Sequence, residues 1–149
     1  MADWRENLLT DPEVIGELVR SAHRVAVLGI RPESKADRPA HYVPAYLASA
    51  GVTILPVPVS APGAPTILGQ PVYRSVAEAP GPIDIVDVFR RAEDIPPHLP
   101  DLLAAHPRVV WFQSGIRNDA AAETLARAGI RVVQDRCLMV EHRRFSKSL

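Results

Sequence analysis

The chain has 149 residues, and its 17 basic and 17 acidic side chains give a formal net charge of zero at pH 7. This balance argues against a general nucleic-acid binder, which usually shows a basic excess or a basic stripe. The length fits one domain of ordinary size. We therefore expect residues 1–149 to form a single domain with a core over about 23–137.

The cysteine content and the hydropathy of the chain favour a cytoplasmic location. Cys137 is the only cysteine, so no intrachain disulfide can form, which suits a reducing cytosol. Charged residues at the start of the chain, Asp3, Arg5 and Glu6, leave no apolar run of the kind that a signal peptide contains. No apolar run approaches the ~20 residues of a membrane span. The sequence predicts a cytoplasmic protein without a membrane partner, and it leaves the oligomeric state open.

The first predicted elements are a helix and a buried strand. Thr10 and Glu13 have capping-box spacing, and apolar residues then recur at helical spacing up to about His23. Residues 24–29 form a short apolar run rich in β-branched side chains. Such a run is typical of a strand that is buried on both faces, as in a parallel sheet.

The next elements alternate in the same way. A helix should begin near Pro39, although Pro44 would make it start late or kink. A strand over 52–57 and a proline-rich loop over 58–70 follow. The remaining elements are a short segment at 72–77, strands over 83–89, 109–112 and 130–133, and helices over 95–106 and 118–128.

Strands that alternate with helices predict βαβ units with right-handed crossovers. We therefore expect an α/β fold of Rossmann-like type. It is a doubly wound, mostly parallel five-stranded sheet with helices on both faces.

Candidate ligand-binding residues follow the strands, because ligands of open parallel sheets bind outside the carboxyl ends of the strands. Glycine, cationic and amide side chains gather at these positions and would suit phosphates. The residues at or just past the strand ends include Gly29, Ile30, Arg31, Ser34, Lys35, Phe89, Arg90, Phe112, Gln113, Ser114, Gly115 and Cys137.

Each of these features also has a purely structural interpretation. Gly29 would serve equally well to end a strand. Lys35 and Arg38 are, taken singly, better explained as solvated loop charges. Arg90 and Arg91 would pair with the nearby acidic residues Glu93 and Asp94.

Catalytic and metal motifs are missing from the sequence. Cys137 has no base arranged beside it and fits a small buried side chain. His142 beside Glu141 fits a solvated position, and no histidine has the spacing of a metal site. Neither a Gly-x-Gly-x-x-Gly pattern nor a Gly-Lys-Ser/Thr pattern follows the first strand, which argues against a P-loop and against the usual dinucleotide pose.

At the strand ends the sequence resembles the small stand-alone CoA-binding proteins of bacteria, which are related to the CoA-binding domain of the succinyl-CoA synthetase α-subunit. The resemblance covers roughly residues 23–137. The stretches that carry it are 86–91, 110–116 and 135–137, together with Arg38-Pro39 and 68–73.

The resemblance implies coenzyme A as the ligand and assigns roles. Gly29, Ile30 and Arg31 would lie against the phosphates, with Lys35 as a charge partner. Phe89 and Arg90 would flank the adenine or ribose, and the pantetheine path would run along Phe112, Gln113 and Ser114. The phosphorylated histidine of the synthetase belongs to a second domain, so the resemblance implies binding without catalysis.

Two alternatives remain at this stage. One is a dinucleotide-binding enzyme or redox sensor that uses Cys137. The other, weaker, is a structural partner that has lost its ligand. The leading interpretation is a non-catalytic module for coenzyme A or an acyl-CoA, with no metal, no nucleic acid and no membrane involved.

Overall fold

The structure is a computed structural model that describes residues 3–59 and 65–146. A short 3-10 helix at Trp4–Asn7 precedes the regular elements. In chain order these are α1 (Pro12–Ser21), β1 (Arg24–Leu28), α2 (Pro39–Ser49), β2 (Thr53–Val57), β3 (Thr66–Ile67), β4 (Gln70–Pro71), β5 (Ile85–Val88), α3 (Leu99–Ala105), β6 (Val109–Phe112), α4 (Asp119–Arg127), β7 (Arg131–Val133) and α5 (Leu138–Ser146).

Five strands form one parallel sheet in the order β2-β1-β5-β6-β7. The predicted doubly wound α/β fold is therefore confirmed. The chain moves outward from β1 to β2 and then returns to place β5 on the other side of β1. Neighbouring strands β1 and β5 consequently send their connections in opposite directions, which opens a crevice at their carboxyl ends. The short strands β3 and β4 pair separately as an antiparallel ribbon.

The sheet is buried on both faces because its strands consist almost entirely of apolar residues. Val27, Ile85 and Trp111 pack toward α1, α2 and α5. Leu28, Val86 and their neighbours on the other strands pack toward α3 and α4. This arrangement explains why the strands read as continuous hydrophobic runs rather than as alternating patterns.

Several predicted boundaries are wrong in ways that have local causes. Asp11, not Thr10, caps α1, and its carboxylate accepts a 2.9 Å hydrogen bond from the Glu13 amide. The short segment at 72–77 forms neither a helix nor a strand, and the Val76 amide there donates to the Asp101 carboxylate. Asn118 is the N-cap of α4 rather than its first residue.

The helix α5, and with it a part of the core beyond residue 137, was not expected from the sequence. Leu138 and Glu141 face inward on this helix, and Leu138 is 1% exposed. The prediction of a solvated His142 is also wrong. Its Nδ1 lies 2.9 Å from the Tyr46 hydroxyl oxygen, and burial lowers the pKa of His142.

One carboxyl group lies within the sheet itself. Asp87 on β5 is fully buried between Val27 of β1 and Trp111 of β6. Neither carboxyl oxygen has a hydrogen-bond partner among the described residues. Desolvation raises the pKa of Asp87 well above its ordinary value, because an unpaired charge is costly in an apolar interior.

The buried acid predicts an unusual dependence of stability on pH. The folded state keeps the Asp87 proton, whereas the unfolded state releases it above about pH 3.9. The free energy of unfolding should therefore fall by about 1.4 kcal/mol per pH unit between that value and the folded-state pKa. Asp87→Asn removes this contribution, so the variant should gain stability relative to the wild type from pH 4 to pH 7 in urea denaturation. A difference that stays constant with pH would show that Asp87 titrates alike in both states.

Candidate functional site

A cleft of about 720 Å³ opens at the carboxyl ends of the central strands. It lies where the chain connections leave β1 and β5 in opposite directions. The residues that line it come from the β1–α2 loop, the start of α2, the residues after β5 and β6, and the start of α5: Gly29, Arg31, Lys35, Arg38, Pro39, Ala40, Tyr42, Val43, Phe89, Arg90, Arg91, Gln113, Ser114, Ile116, Cys137, Met139 and Val140.

Gly29 sets the floor of the cleft. Its backbone has φ +90°, and a Cβ placed there would lie 2.5 Å from the Phe89 carbonyl oxygen. The Gly29 amide donates to the Val57 carbonyl at 2.8 Å, and the Phe89 amide donates to the Leu28 carbonyl at 2.9 Å. Only glycine satisfies both the positive φ and the close approach of the two strand ends.

Pro44 helps to hold the loop that carries Arg31. In a regular helix residue 44 would donate its amide hydrogen to the Ala40 carbonyl, but proline has none. The Ala40 carbonyl instead accepts a 3.1 Å hydrogen bond from the Arg31 amide. The helix α2 begins at Pro39, as predicted, and contains Pro44. Of the two effects expected of Pro44, the late start therefore does not occur, and the proline leaves the Ala40 carbonyl free to accept the hydrogen bond from the loop.

The cations of the cleft fall into two groups. Arg31, Lys35 and Arg38 form no ion pair with any described residue. Arg90 and Arg91 form ion pairs with Asp94, a nearby acidic residue, as expected if they have a purely structural role. The distances to the Asp94 carboxylate are 2.9 Å for Arg91 Nε and 4.0 Å for Arg90 Nη2. The first group is thus left available for an anionic ligand.

Glu33 fastens the turn that presents Lys35. Its carboxylate accepts a 2.9 Å hydrogen bond from the Leu68 amide and lies 3.2 Å from His41 Nε2. The Leu68 amide, followed by His41, lowers the pKa of Glu33. A single carboxylate therefore joins the 3-10 turn Glu33–Lys35, the buried His41 of α2 and the β3–β4 ribbon.

Gln113 connects the cleft to α5. Its side chain is buried, and its Oε1 accepts a 2.9 Å hydrogen bond from the Leu138 amide. This contact satisfies an amide at the first turn of α5 that has no partner within the helix. As a result α5 begins beside the cleft and contributes Met139 and Val140 to its wall.

The structure brings eight of the twelve predicted residues together at the cleft: Gly29, Arg31, Lys35, Phe89, Arg90, Gln113, Ser114 and Cys137. The side chains of Ile30 and Phe112 lie in the core, 1% and 0% exposed, so these two could reach a ligand only through the backbone. Ser34 lies outside the lining. Gly115 also lies outside it and donates its amide to the Asp135 carboxylate at 2.7 Å.

Two helices contribute residues to the cleft that the strand-end pattern does not predict. Tyr42 of α2 and Val140 of α5 are the most exposed large apolar side chains of those helices, at 43% and 51%. Both stand on the cleft wall with Met139. The sequence places Tyr42 on a helix, three residues after Pro39. This spacing indicates that Tyr42 belongs to the first turn of the helix, beside the strand ends.

Cys137 lies at one end of the cleft and is half-buried. No described histidine or carboxylate forms a hydrogen bond to its thiol. Among the described residues there is also no group of histidine, cysteine or acidic side chains that could hold a metal ion. No helix in residues 3–59 or 65–146 has the length and hydropathy needed to cross a membrane.

Comparisons with known proteins agree with this architecture. A family model described as a CoA binding domain matches residues 23–143. The uncharacterized protein YneT of Bacillus subtilis strain 168 is 37% identical over 131 residues, which cover 86% of this chain and 91% of YneT. A Thermus thermophilus structure described as cell-free ID.343 is 41% identical with a TM-score of 0.84, covering 91% of this chain and 99% of its own. A hypothetical protein from Pyrococcus horikoshii OT3 is 31% identical with a TM-score of 0.81, covering 94% of each chain.

The floor of the cleft can be tested with two glycines of similar backbone conformation. Gly51 has φ +96° and open space where a Cβ would lie, whereas at Gly29 a Cβ would meet the Phe89 carbonyl. Gly51→Ala should cost about 1–2 kcal/mol of unfolding free energy for the positive φ alone. Gly29→Ala should cost about 1–3 kcal/mol more because of the steric conflict. Equal losses in chemical denaturation would show that the two strand ends do not approach each other this closely.

Proposed function

The chain belongs to the CoA binding domain family, and from this premise we propose that it binds coenzyme A or an acyl-CoA at the carboxyl ends of β1, β5 and β6. The observation that supports the proposal most strongly is the set of three unpaired cations, Arg31, Lys35 and Arg38, on one wall of the cleft. Coenzyme A carries a pyrophosphate and a 3′-phosphate, which are the groups that such a wall attracts.

The phosphates would lie between the Gly29 turn and the start of α2. Arg38 and Pro39 form the N-cap and first residue of α2 and line the cleft. The N-terminal end of a helix carries partial positive charge and favours an anion. The residues present therefore fit a phosphate ligand in backbone geometry as well as in charge.

The remaining parts of the ligand would extend over the apolar wall. Phe89 follows β5, and Tyr42 stands on the facing helix. Aromatic faces of this kind suit an adenine ring. Gln113 and Ser114 follow β6 and would border the pantetheine arm, with Cys137 and Val140 beyond them. The roles of these residues are part of the proposal.

We propose binding without catalysis. An adjacent general base is one means by which a nucleophilic cysteine is activated. No histidine is among the residues that line the cleft, and three histidines outside the lining have other partners. His41 contacts Glu33, His142 contacts Tyr46, and His98 accepts a hydrogen bond from Arg90 Nε at 3.3 Å. This arrangement supports a binding module over an enzyme or redox sensor that uses Cys137.

Ligand-dependent stabilisation tests the proposal. Coenzyme A should raise the free energy of unfolding by about 2.7 kcal/mol at a hundredfold excess over its dissociation constant. NAD should give a smaller effect at the same concentration, because the cleft lacks the glycine pattern of a dinucleotide site. The measurement is a thermal shift with both ligands in parallel.

A pair of arginine variants places the binding in the cleft. Arg31→Ala should weaken coenzyme A binding by about 1.5–3 kcal/mol through the loss of a charge-assisted contact. Arg131→Ala is the matched control, since Arg131 begins β7 at the opposite edge of the sheet and lies outside the cleft. Stabilisation by NAD equal to that by coenzyme A, or equal affinity of both variants, would contradict the proposal.

A further inference from the structure

A second cavity adjoins the cleft at the edge of the sheet. This chamber has a volume of about 820 Å³ and lies between the 3-10 helix Trp4–Asn7, α4, the end of β7 and α5. Ser114, Cys137 and Val140 line both volumes. The chamber and the cleft therefore meet at these three residues. Ser114 follows β6 and Cys137 follows β7, whereas Arg31 and Lys35 follow β1, which is separated from β6 by β5.

The chamber differs from the cleft in its electrostatics. Both arginines in its wall are already paired: Arg117 Nε lies 3.2 Å from Asp119, and Arg136 Nη1 lies 3.4 Å from Glu141. Glu123 lines the chamber too, paired with an arginine outside the lining. No cation of the described chamber wall is left free for an anionic ligand, in contrast to the cleft.

Glu141 adds a buried negative group to this wall. Its side chain is 9% exposed, and its Oε2 has no hydrogen-bond partner among the described residues. A second carboxylate brought to this place would meet like charge and would find no free donor from an arginine. Apolar side chains, among them Trp4, Leu8 and Val132, share the wall with these charged groups and with further polar residues such as Gln134 and Asp135.

We propose that the chamber receives the acyl group of a bound CoA thioester and selects uncharged acyl groups over acyl groups that end in a carboxylate. The inference rests on the proposed function, because it requires the phosphates to occupy the cationic cleft. With that end fixed by Arg31, Lys35 and Arg38, the thioester end points toward Ser114 and Cys137. The acyl chain then enters a chamber whose wall combines apolar side chains with acidic groups and paired arginines.

The selectivity can be measured with two thioesters of equal chain length. Butyryl-CoA ends in a methyl group where succinyl-CoA ends in a carboxylate. We expect calorimetric titration to give a dissociation constant at least about tenfold lower for butyryl-CoA, because its methyl group is buried and no charge is desolvated. Free coenzyme A is titrated alongside both.

The outcomes separate the two proposals. Failure of free coenzyme A to bind would overturn the proposed function. Binding of coenzyme A together with equal or tighter binding of succinyl-CoA would overturn the chamber inference and leave the proposed function standing.

A charge variant tests the chamber directly. Asp119→Asn releases Arg117 at an exposed helix start and keeps an oxygen that can accept the hydrogen bond from Gln134 Nε2. It should tighten succinyl-CoA binding about two- to fivefold, the range of an exposed ion pair, and leave coenzyme A unchanged. The matched control is Glu13→Gln, which removes an acid from the first turn of α1, outside the chamber and the cleft. The same gain for both variants, or for neither, would overturn the inference.

Trp4 provides a local reporter. It lines the chamber and is only half-buried, whereas Trp111 is completely buried in the core. Butyryl-CoA should change the tryptophan emission more than coenzyme A does, and Trp4→Phe should abolish that extra change without altering coenzyme A affinity. An extra change that persists in Trp4→Phe would place the acyl group elsewhere.

Discussion

The close approach of the Gly29 turn to the Phe89 carbonyl is the contact on which the site depends. Parallel strands β1 and β5 lie side by side, and their connections leave in opposite directions. The crevice between them can hold a ligand only if neither strand end fills it with a side chain. A glycine with φ +90° against a backbone carbonyl meets that condition, and the cations of both loops then face the same space.

The charges of the molecule are distributed according to what each region must bind or bury. The cleft keeps Arg31, Lys35 and Arg38 free of acidic partners, which favours a polyanionic ligand. Asp87 lies on β5, two residues before Phe89 of the cleft, and is fully buried. Burial raises the pKa of Asp87, which favours the neutral acid beneath the place where the phosphates would lie.

The sequence predicted the fold because the strand runs are short, apolar and bounded by helices with clear stops. Residues 109–112 matched the strand β6 at both ends. The sequence did not predict α5, because the polar residues Glu141, His142 and Arg143 interrupt the apolar pattern of this nine-residue helix. The inward face becomes evident only when Gln113, distant in sequence, is seen to fix the start of the helix.

The candidate site was predictable to the extent that it follows from strand ends. The apolar strand runs show in the sequence which residues follow each strand, so Gly29, Arg31 and Lys35 could be predicted. Side-chain direction is a property of sheet register, and Phe112 therefore proved to face α3 and α4 rather than the cleft. The role of Pro44 in freeing the Ala40 carbonyl for Arg31 required both the helix and the loop to be in place.

Competitive native mass spectrometry tests the central claim most directly. The purified protein is incubated with equimolar coenzyme A and NAD, and the mass of the retained ligand is read from the intact complex. Retention of one coenzyme A per chain, with its loss in Arg31→Ala, is the result that the proposed binding function predicts. Retention of NAD in preference to coenzyme A would contradict it.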